Sequence, residues 1–237
     1  MGGTGDPTGV AFRPIRSGNA FEECVERVLS ALKLGLVGTG ERLPAERDLA
    51  ARLGVSRVTL REALRSLADA GWLEVRRGRH GGTFVLDRAP TAPGRSRPAL
   101  SAAELEDTLV LRQVLEVGAV EAAATSTRIE AKARLREALA ECACAQVQHY
   151  RRADSRLHLD ITEVAGSPSL VAAAADVRMR VNDLLDAIPL VGRNLAHSNQ
   201  QHQRIVRAIG RSQPAAARAA MQEHLEGTAA LLRGFLL

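Results

Sequence analysis

An aspartate and three histidines in the second half of the chain have the chemistry and the spacing of a metal site. Asp154 and His158 are four residues apart, so on one helix their side chains lie on the same face, about one turn apart. His202 lies before a predicted turn at Gly210 and His224 lies after it, so an antiparallel helical hairpin would bring them to a similar level. One carboxylate and three imidazoles suit a divalent transition metal, and Zn, Ni, Mn and Fe all fit this donor set.

The same four residues leave other interpretations open. Each histidine could be an ordinary helical histidine, because a ligand set needs a convergence in space that spacing alone does not provide. His149 and His197 are alternative ligands, although His197 would face away from His202 on a continuous helix. A metal with open positions could also activate water, but no carboxylate stands beside the proposed ligands in a motif that would supply a general base. We therefore expect a binding site and no enzyme.

Two arginines of the same region could bind the carboxylate of a small organic acid. The planar guanidinium groups of Arg112 and Arg178 are suited to bidentate pairing with an anion. Either could instead be a surface arginine, since long side chains often lie along the surface with the charged end in water. The sequence nominates these two residues for an effector site.

A second set of residues, in the first third of the chain, could read DNA. Ser56 is a good N-cap, so a helix is expected to begin after it, with Arg57 and Arg61 one turn apart near its start. A helix fits the major groove, its N-terminal residues reach the base edges, and arginine can pair with O6 and N7 of guanine. One or both of these arginines are therefore expected to read a guanine.

Further DNA contacts are expected from residues that flank this helix. Arg47 is placed to hold the DNA backbone, while Ser56 and Thr59 can donate to phosphate or base. In a predicted wing, glycine permits close approach and the negative potential of the minor groove attracts arginine. The wing candidates are Arg77, Gly78 and Arg79. The alternative for each helix arginine is a solvated face, paired with Glu62 or Asp69.

A winged helix-turn-helix is the scaffold that the sequence predicts for these arginines. One helix runs from about residue 19 to 34, a second opens at Pro44 and stops at Gly54, and the third follows Ser56. A basic, glycine-rich tip between two short strands then forms the wing. The domain has three helices and a two-stranded β-wing.

The rest of the sequence divides into an arm, a linker and a second domain. Residues 1–17 are rich in Gly, Pro and Thr and are expected to form a mobile arm before the winged-helix domain, 18–86. Residues 87–100 hold prolines and arginines without periodicity, as a linker does. Only helical patterns follow over 101–237, so we expect an all-α bundle of about six helices for effector binding and dimerisation. The fold class is mainly α.

Composition limits the class of protein and its compartment. Only 3% of the 237 residues are aromatic, so the core must be built from aliphatic side chains on helices. The net charge of +5 suits a polyanion partner but does not identify one. No apolar run approaches the roughly 20 residues that span a bilayer, so we expect a cytoplasmic protein without a membrane partner. The three cysteines predict neither a zinc cluster nor a disulfide.

The predicted DNA-reading region resembles the winged-helix domain of GntR-family transcription regulators. The matching positions are Gly40, Leu43-Pro44-Ala45-Glu46-Arg47, Leu49-Ala50, Leu53-Gly54-Val55-Ser56-Arg57, Thr59, Arg61-Glu62-Ala63-Leu64, Leu67, Gly71, Gly78, Gly82 and Phe84-Val85. In that family the residues at Arg47, Arg57, Arg61 and Gly78 contact the operator, and the resemblance implies the same roles here. It also implies a homodimer on a short inverted repeat, in agreement with the symmetry of paired recognition helices.

The second domain resembles the all-helical ligand domain of the FadR-type subgroup of that family. The similarity spans about residues 103–230 and rests on Leu111-Arg112, Glu116, Asp154, His158, Ile161, His202, Ile205, Ala208-Ile209, Met221 and His224-Leu225. In the metal-containing members of the subgroup, the aspartate and the three histidines at these positions bind the metal. The resemblance implies the same ligand set here.

Together these features predict a ligand-responsive transcription regulator. A dimer would bind double-stranded DNA at an inverted-repeat operator, and a small organic acid at the metal site would change its affinity. One alternative is a metal-free acyl-ligand sensor of the same subgroup, which stoichiometric metal would exclude. The other is a metalloenzyme fused to a DNA-binding domain.

Overall fold

A computed structural model describes residues 12, 14–15, 18–33, 36–78, 81–86, 101–146, 149–189 and 192–237. The predicted linker, Arg79 and most of the predicted arm lie outside the described residues. Within the arm, Phe12 is buried and the Ile15 amide donates to the Leu53 carbonyl at 2.8 Å, so these two residues are packed. The chain forms two compact units, Met1–Arg97 with Gly227–Leu237, and Pro98–Glu226.

The first unit contains three helices, α1 (Ala20–Lys33), α2 (Glu46–Leu53) and α3 (Arg57–Asp69). Helix α2 ends because Gly54 adopts the left-handed conformation, with φ at 67°, which glycine tolerates without steric cost. The apolar side chains of α1 and α3 recur at helical spacing and form the core, where Val28, Leu29, Leu60 and Leu67 are all fully buried.

Helix α2 begins two residues later than the sequence suggested. Pro44 was expected to open it, but the first helical residue is Glu46, and Ala45 is the N-cap. The Leu43 amide donates to the Thr83 carbonyl at 2.8 Å, and this bond holds the preceding segment against the wing in an extended form.

The wing consists of β1 (Leu73–Arg76) and β2 (Gly82–Val85), which pair antiparallel in a register that runs from Leu73 opposite Val85 to Arg76 opposite Gly82. Between the strands, Gly78 has a φ of 101°, a conformation that side-chain-bearing residues rarely adopt. Residues 227–237 complete this unit, because Gly234 approaches Glu26 so closely that a Cβ would lie 2.9 Å from the Glu26 Cα.

The second unit is built from helices, as expected. They are α4 (Ala102–Thr125), α5 (Ile129–Cys144), α6 (Tyr150–Ala165), α7 (Pro168–Asp186), α8 (Gly192–Gly210) and α9 (Pro214–Leu236), the last of which ends in residues 227–237 of the first unit. Its aliphatic core includes Val120, Leu135, Leu157, Ile205 and Met221. Across the described residues the chain therefore has nine helices and one two-stranded sheet, which confirms the predicted fold class.

Helix boundaries in this unit follow local capping chemistry. Ser101 and Glu104 form a reciprocal capping box at the start of α4, and Ser167 caps α7, in which Pro168 is the first residue. No helix in the described part of the chain is long and apolar enough to cross a membrane.

Candidate metal centre and DNA-binding surface

The four predicted metal ligands lie together in the second unit. Helix α6 supplies Asp154 and His158, α8 supplies His202 and α9 supplies His224, and all four side chains are buried. One ligand atom from each lies within 4.8 Å of every other. The Nε2 atom of His202 is 3.3 Å from Nε2 of both other histidines, and 3.4 Å from Oδ1 of Asp154.

The distances from Nε2 of His202 fit a single small cation, while Oδ1 of Asp154 and Nε2 of His158 lie farther apart, at 3.9 Å. Two nitrogens bound to one ion at about 2.1 Å, with bond angles between octahedral and tetrahedral values, lie about 3.0–3.4 Å apart. The two Nε2 separations of 3.3 Å fall in that interval. Imidazole nitrogens with one carboxylate oxygen are a donor set that suits Zn, Ni, Mn or Fe.

The nitrogen of each ring that faces away from the centre is held by a neighbour. His158 Nδ1 lies 2.5 Å from Oε2 of Glu116, and His224 Nδ1 lies 3.1 Å from Oε1 of Gln201. A carboxylate and an amide oxygen are acceptors, so both rings donate Nδ1–H outward and turn the Nε2 lone pair toward the centre. The Cys142 thiol lies 4.0 Å from His202 Nδ1.

The electrostatics favour the protonation states that metal ligands need. Burial, with the nearby charge of His158 next in importance, lowers the pKa of His202 well below the usual value. Burial and the charge of His202 do the same to the pKa of His224. Both imidazoles are therefore neutral near pH 7, the form that binds metal.

Glu116 is charged despite its burial. Burial of the carboxyl group raises its pKa, but the charges of His158, Arg112 and Arg178 and the hydrogen bond from His158 outweigh that effect and hold the pKa well below its usual range. Glu116 was part of the family resemblance, but no role was predicted for it. Its position four residues after Arg112 on α4 was the available signal.

The two arginines nominated for an effector lie beside these ligands and are buried, each with 2% of its surface exposed. Arg112 Nε donates to Oε1 of Glu116 at 3.1 Å, and Arg178 contacts the carboxylate of Asp154. The Nη1 atoms of both arginines are buried and find no hydrogen-bond acceptor within the described part of the chain. Burial lowers the pKa of Arg178 to about 10, so its guanidinium stays charged at neutral pH. The surface alternative is wrong for both residues.

The alternative ligands lie outside the cluster, and two residues that were not predicted contact it. His149 and His197 do not belong to the four-residue cluster found among the described residues, so neither takes the place of a predicted ligand. Gln201 and Cys142 support the centre but were not predicted to do so. An amide beside a histidine is not a distinctive pattern, and the thiol is brought near His202 only by the packing of α5 against α8.

The predicted recognition helix is α3, and its first turn is held by Ser56. The Ser56 hydroxyl accepts from the Thr59 amide at 3.0 Å, so Ser56 caps the helix, and it lies 2.8 Å from the Thr59 hydroxyl. Arg57 follows the cap and is exposed. Arg61 pairs with Glu46 of α2 at 2.9 Å, and neither Glu62 nor Asp69 is its partner in that bridge.

These surface pairs leave the arginines open to a stronger anion, because exposed ion pairs contribute little free energy. Arg47 is also exposed, with its Nε 3.1 Å from Oδ1 of Asp48. Arg77 and Gly78 directly follow β1 at the wing tip, and both are exposed. Arg76, which was not predicted to matter, lies over the Phe84 ring at 4.4 Å and pairs with Glu74, so it supports the wing.

Comparison with known protein families finds two matches along the chain. Residues 21–85 match the model of the bacterial regulatory proteins of the gntR family, and residues 107–227 match the FCD domain. GntR regulators bind DNA, and FCD domains bind small-molecule effectors.

Individual relatives agree with the family match. The chain is 32% identical over 222 residues to the putative HTH-type transcriptional regulator RmpR of Mycobacterium gastri, covering 90% of this chain and 80% of the relative. It is 30% identical over 205 residues to the uncharacterised HTH-type transcriptional regulator YcbG of Bacillus subtilis, covering 86% of each. Among solved structures, McbR/YncC of E. coli has the same fold, with a TM-score of 0.50 and 22% identity over 92% of this chain and 98% of that one. The chain belongs to the GntR family of bacterial regulatory proteins, and with its FCD domain it is a transcription regulator, not an enzyme.

Proposed function

We propose that this regulator binds a divalent transition metal (Zn, Ni, Mn or Fe) and a small organic acid in its FCD domain, and that the acid changes operator affinity. The ligands are Asp154, His158, His202 and His224. The observation that carries the proposal is the convergence of four buried ligand atoms within 4.8 Å of one another. When bound, the metal would supply a Lewis-acid position for a carboxylate oxygen.

The acid would be held by the two buried arginines. Arg112 and Arg178 lie next to the metal ligands, and each carries a buried Nη1 atom without a hydrogen-bond acceptor among the described residues. A buried, unsatisfied guanidinium nitrogen is costly in free energy, and a carboxylate would satisfy it with a charge-assisted hydrogen bond. An anionic effector is therefore favoured over a neutral one.

The output would be operator binding through α3 and the wing. Arg57 and Arg61 would read base edges, Ser56 and Thr59 would position the start of α3, and Arg47 would contact the DNA backbone. The wing residues proposed to follow the minor groove are Arg77, Gly78 and Arg79. Since a regulator must reach the DNA that carries its operator, we propose that the protein lies in the cytoplasm.

We further propose that the protein acts as a homodimer on an inverted repeat. Val110 and Val114 are 60% and 67% exposed on one face of α4, and a Cβ at Gly118 on the same face would meet no described atom within 4 Å. A face of valines and glycine supports close packing against the same helix of a second copy. The ligand would regulate DNA binding only if it binds one arrangement of the dimer more tightly than another.

The test is operator binding by the full chain, measured across a panel of carboxylates before and after removal of metal by a chelator. The proposal expects at least one carboxylate to change the operator affinity, and expects the change to disappear after chelation and return with added metal. Arg112→Gln should lose the response to the acid while keeping basal operator binding. Operator affinity that is indifferent to every acid and to metal would contradict the proposed regulation.

A further inference from the structure

Glu116 lies between the proposed metal ligands and the proposed anion site. Its Oε2 lies 2.5 Å from Nδ1 of His158, on α6. Its Oε1 accepts from Nε of Arg112 at 3.1 Å and lies 3.6 Å from Nη1 of Arg178, on α7. The carboxylate is only 3% exposed, so water does not replace any of these partners. One buried carboxylate therefore serves a histidine and two guanidinium groups.

The charges of this cluster balance only when Glu116 is charged. Arg112 and Arg178 carry two positive charges, and Glu116 and Asp154 carry two negative charges. Asp154 is itself a proposed metal ligand, so a bound divalent cation would draw on its charge. Glu116 is then the counter-charge that the guanidinium groups share with the His158 ring.

We propose that Glu116 is a positioning residue that couples the two sites, because His158 and the arginine pair compete for the same carboxylate. The proposal rests on the proposed function and adds its regulation. An anion bound to Arg112 and Arg178 would weaken their pairing with Glu116, so the Glu116 carboxylate would accept a stronger hydrogen bond from His158. A more strongly held Nδ1–H makes the ring a better metal ligand.

The coupling must act in both directions by the same factor. If the anion increases the affinity for metal through Glu116, the metal increases the affinity for the anion equally. Removal of the carboxylate charge should therefore affect the two sites in opposite ways. The metal ligand loses its support, while the guanidinium groups lose a counter-charge and become a stronger site for an external anion.

The test is E116Q in the full chain, with two binding measurements. Zn²⁺ affinity is measured by competition with a colorimetric chelator, and malonate binding to the metal-free protein is measured by calorimetry. We expect Zn²⁺ affinity to fall about 10- to 100-fold, the usual loss when a partner of a ligand histidine is removed. We expect malonate affinity to rise by about fivefold or more, the lower end of coupling between sites. Malonate binding that appears only in E116Q counts as this rise.

E121Q is the matched control, because Glu121 lies on the same helix but is not part of the cluster. Its Oε2 pairs with Nη1 of Arg218 at 2.9 Å. E121Q should change neither affinity. Unchanged Zn²⁺ affinity in E116Q would overturn the proposal, and so would loss of Zn²⁺ affinity without a gain for malonate, since a purely structural role weakens both sites. Wild-type protein that binds no Zn²⁺ would instead overturn the proposed metal site, and this proposal with it.

E116D provides a second test of the proposal if E116Q does not fold. Aspartate keeps the charge beside Arg112, which lies on the same helix, but it is one methylene shorter, so we expect it to lose the contact with His158 on α6. Reduced Zn²⁺ affinity with unchanged malonate affinity is the supporting result. Zn²⁺ affinity equal to that of the wild type would overturn the proposal.

Discussion

The three histidines of the candidate metal centre differ in what holds the nitrogen that faces away from it. His158 donates to the carboxylate of Glu116, His224 donates to the amide oxygen of Gln201, and His202 lies near a thiol. A charged acceptor makes a stronger hydrogen bond and raises the basicity of the ring more than a neutral one. His158 is therefore expected to be the strongest of the three nitrogen donors.

Lowering the pH should destabilise the metal-free protein. Burial lowers the pKa of His202 and of His224, whereas in the unfolded chain both have a pKa of about 6.5. Below that pH the unfolded chain binds protons that the folded chain does not. The free energy of unfolding therefore falls as the pH falls, by up to about 1.4 kcal/mol per pH unit for each histidine.

Urea denaturation of chelator-treated protein on either side of that pKa measures the effect. His224→Gln should flatten the dependence on pH, while the same change at the exposed His149 should leave it as it is. A free energy of unfolding that stays constant or increases at the lower pH would show that these imidazoles are not held neutral.

Arg57→Ala should relax operator specificity at one base pair and cost about 1–3 kcal/mol of binding free energy. Arg57 is exposed directly after the Ser56 cap, where the recognition helix would enter the groove. Band-shift titrations against operators changed at single positions measure both quantities. Arg47→Ala is the comparison, because loss of a backbone contact should weaken all sequences alike and reduce the salt dependence. An unchanged base preference in Arg57→Ala would mean that α3 does not read the operator through this residue.

At the scale of elements, boundaries set by capping chemistry could be predicted, and boundaries set by packing could not. Ser56 and Gly54 marked the turn between α2 and α3. The end of α5 near Ala145 could not be predicted in this way, because alanine and glutamine favour helices and no glycine or proline marks the break.

In the candidate site, likewise, local spacing was predictive and contacts between helices were not. Helical spacing brought Asp154 and His158 to one face, and the hairpin argument brought His202 and His224 to one level. The contact of Glu116 with His158 could not be read from the sequence, because it depends on the packing of α4 beside α6.

Ser56→Ala should lower the free energy of unfolding of the first unit by about 1 kcal/mol. The substitution removes the hydroxyl that accepts from the Thr59 amide, so one N–H at the start of α3 loses its protein partner. Chemical denaturation followed by helical circular dichroism measures the loss. Ser56→Asp should retain stability, because aspartate caps as well as serine does, and a Ser56→Ala variant as stable as the wild type would argue against the cap.

At the scale of the whole molecule, pairing of two chains through α4 is open to a direct test. Val114→Arg places a charge in the exposed valine face and should shift the protein from dimer to monomer, because burying an unpaired charge costs several kcal/mol. Analytical ultracentrifugation gives the mass. Ala133→Arg, at an exposed position on α5, is the control and should leave the mass unchanged. A dimer that survives Val114→Arg would place the interface elsewhere.

The metal content of the purified chain tests the central claim most directly. After removal of metal by a chelator, reconstitution with a divalent transition metal and gel filtration, elemental analysis should find about one ion per chain. His202→Ala and His224→Ala should each lose that ion, while circular dichroism shows that both variants remain helical. Wild-type protein without stoichiometric metal, or variants that hold as much metal as the wild type, would contradict a metal centre at Asp154, His158, His202 and His224.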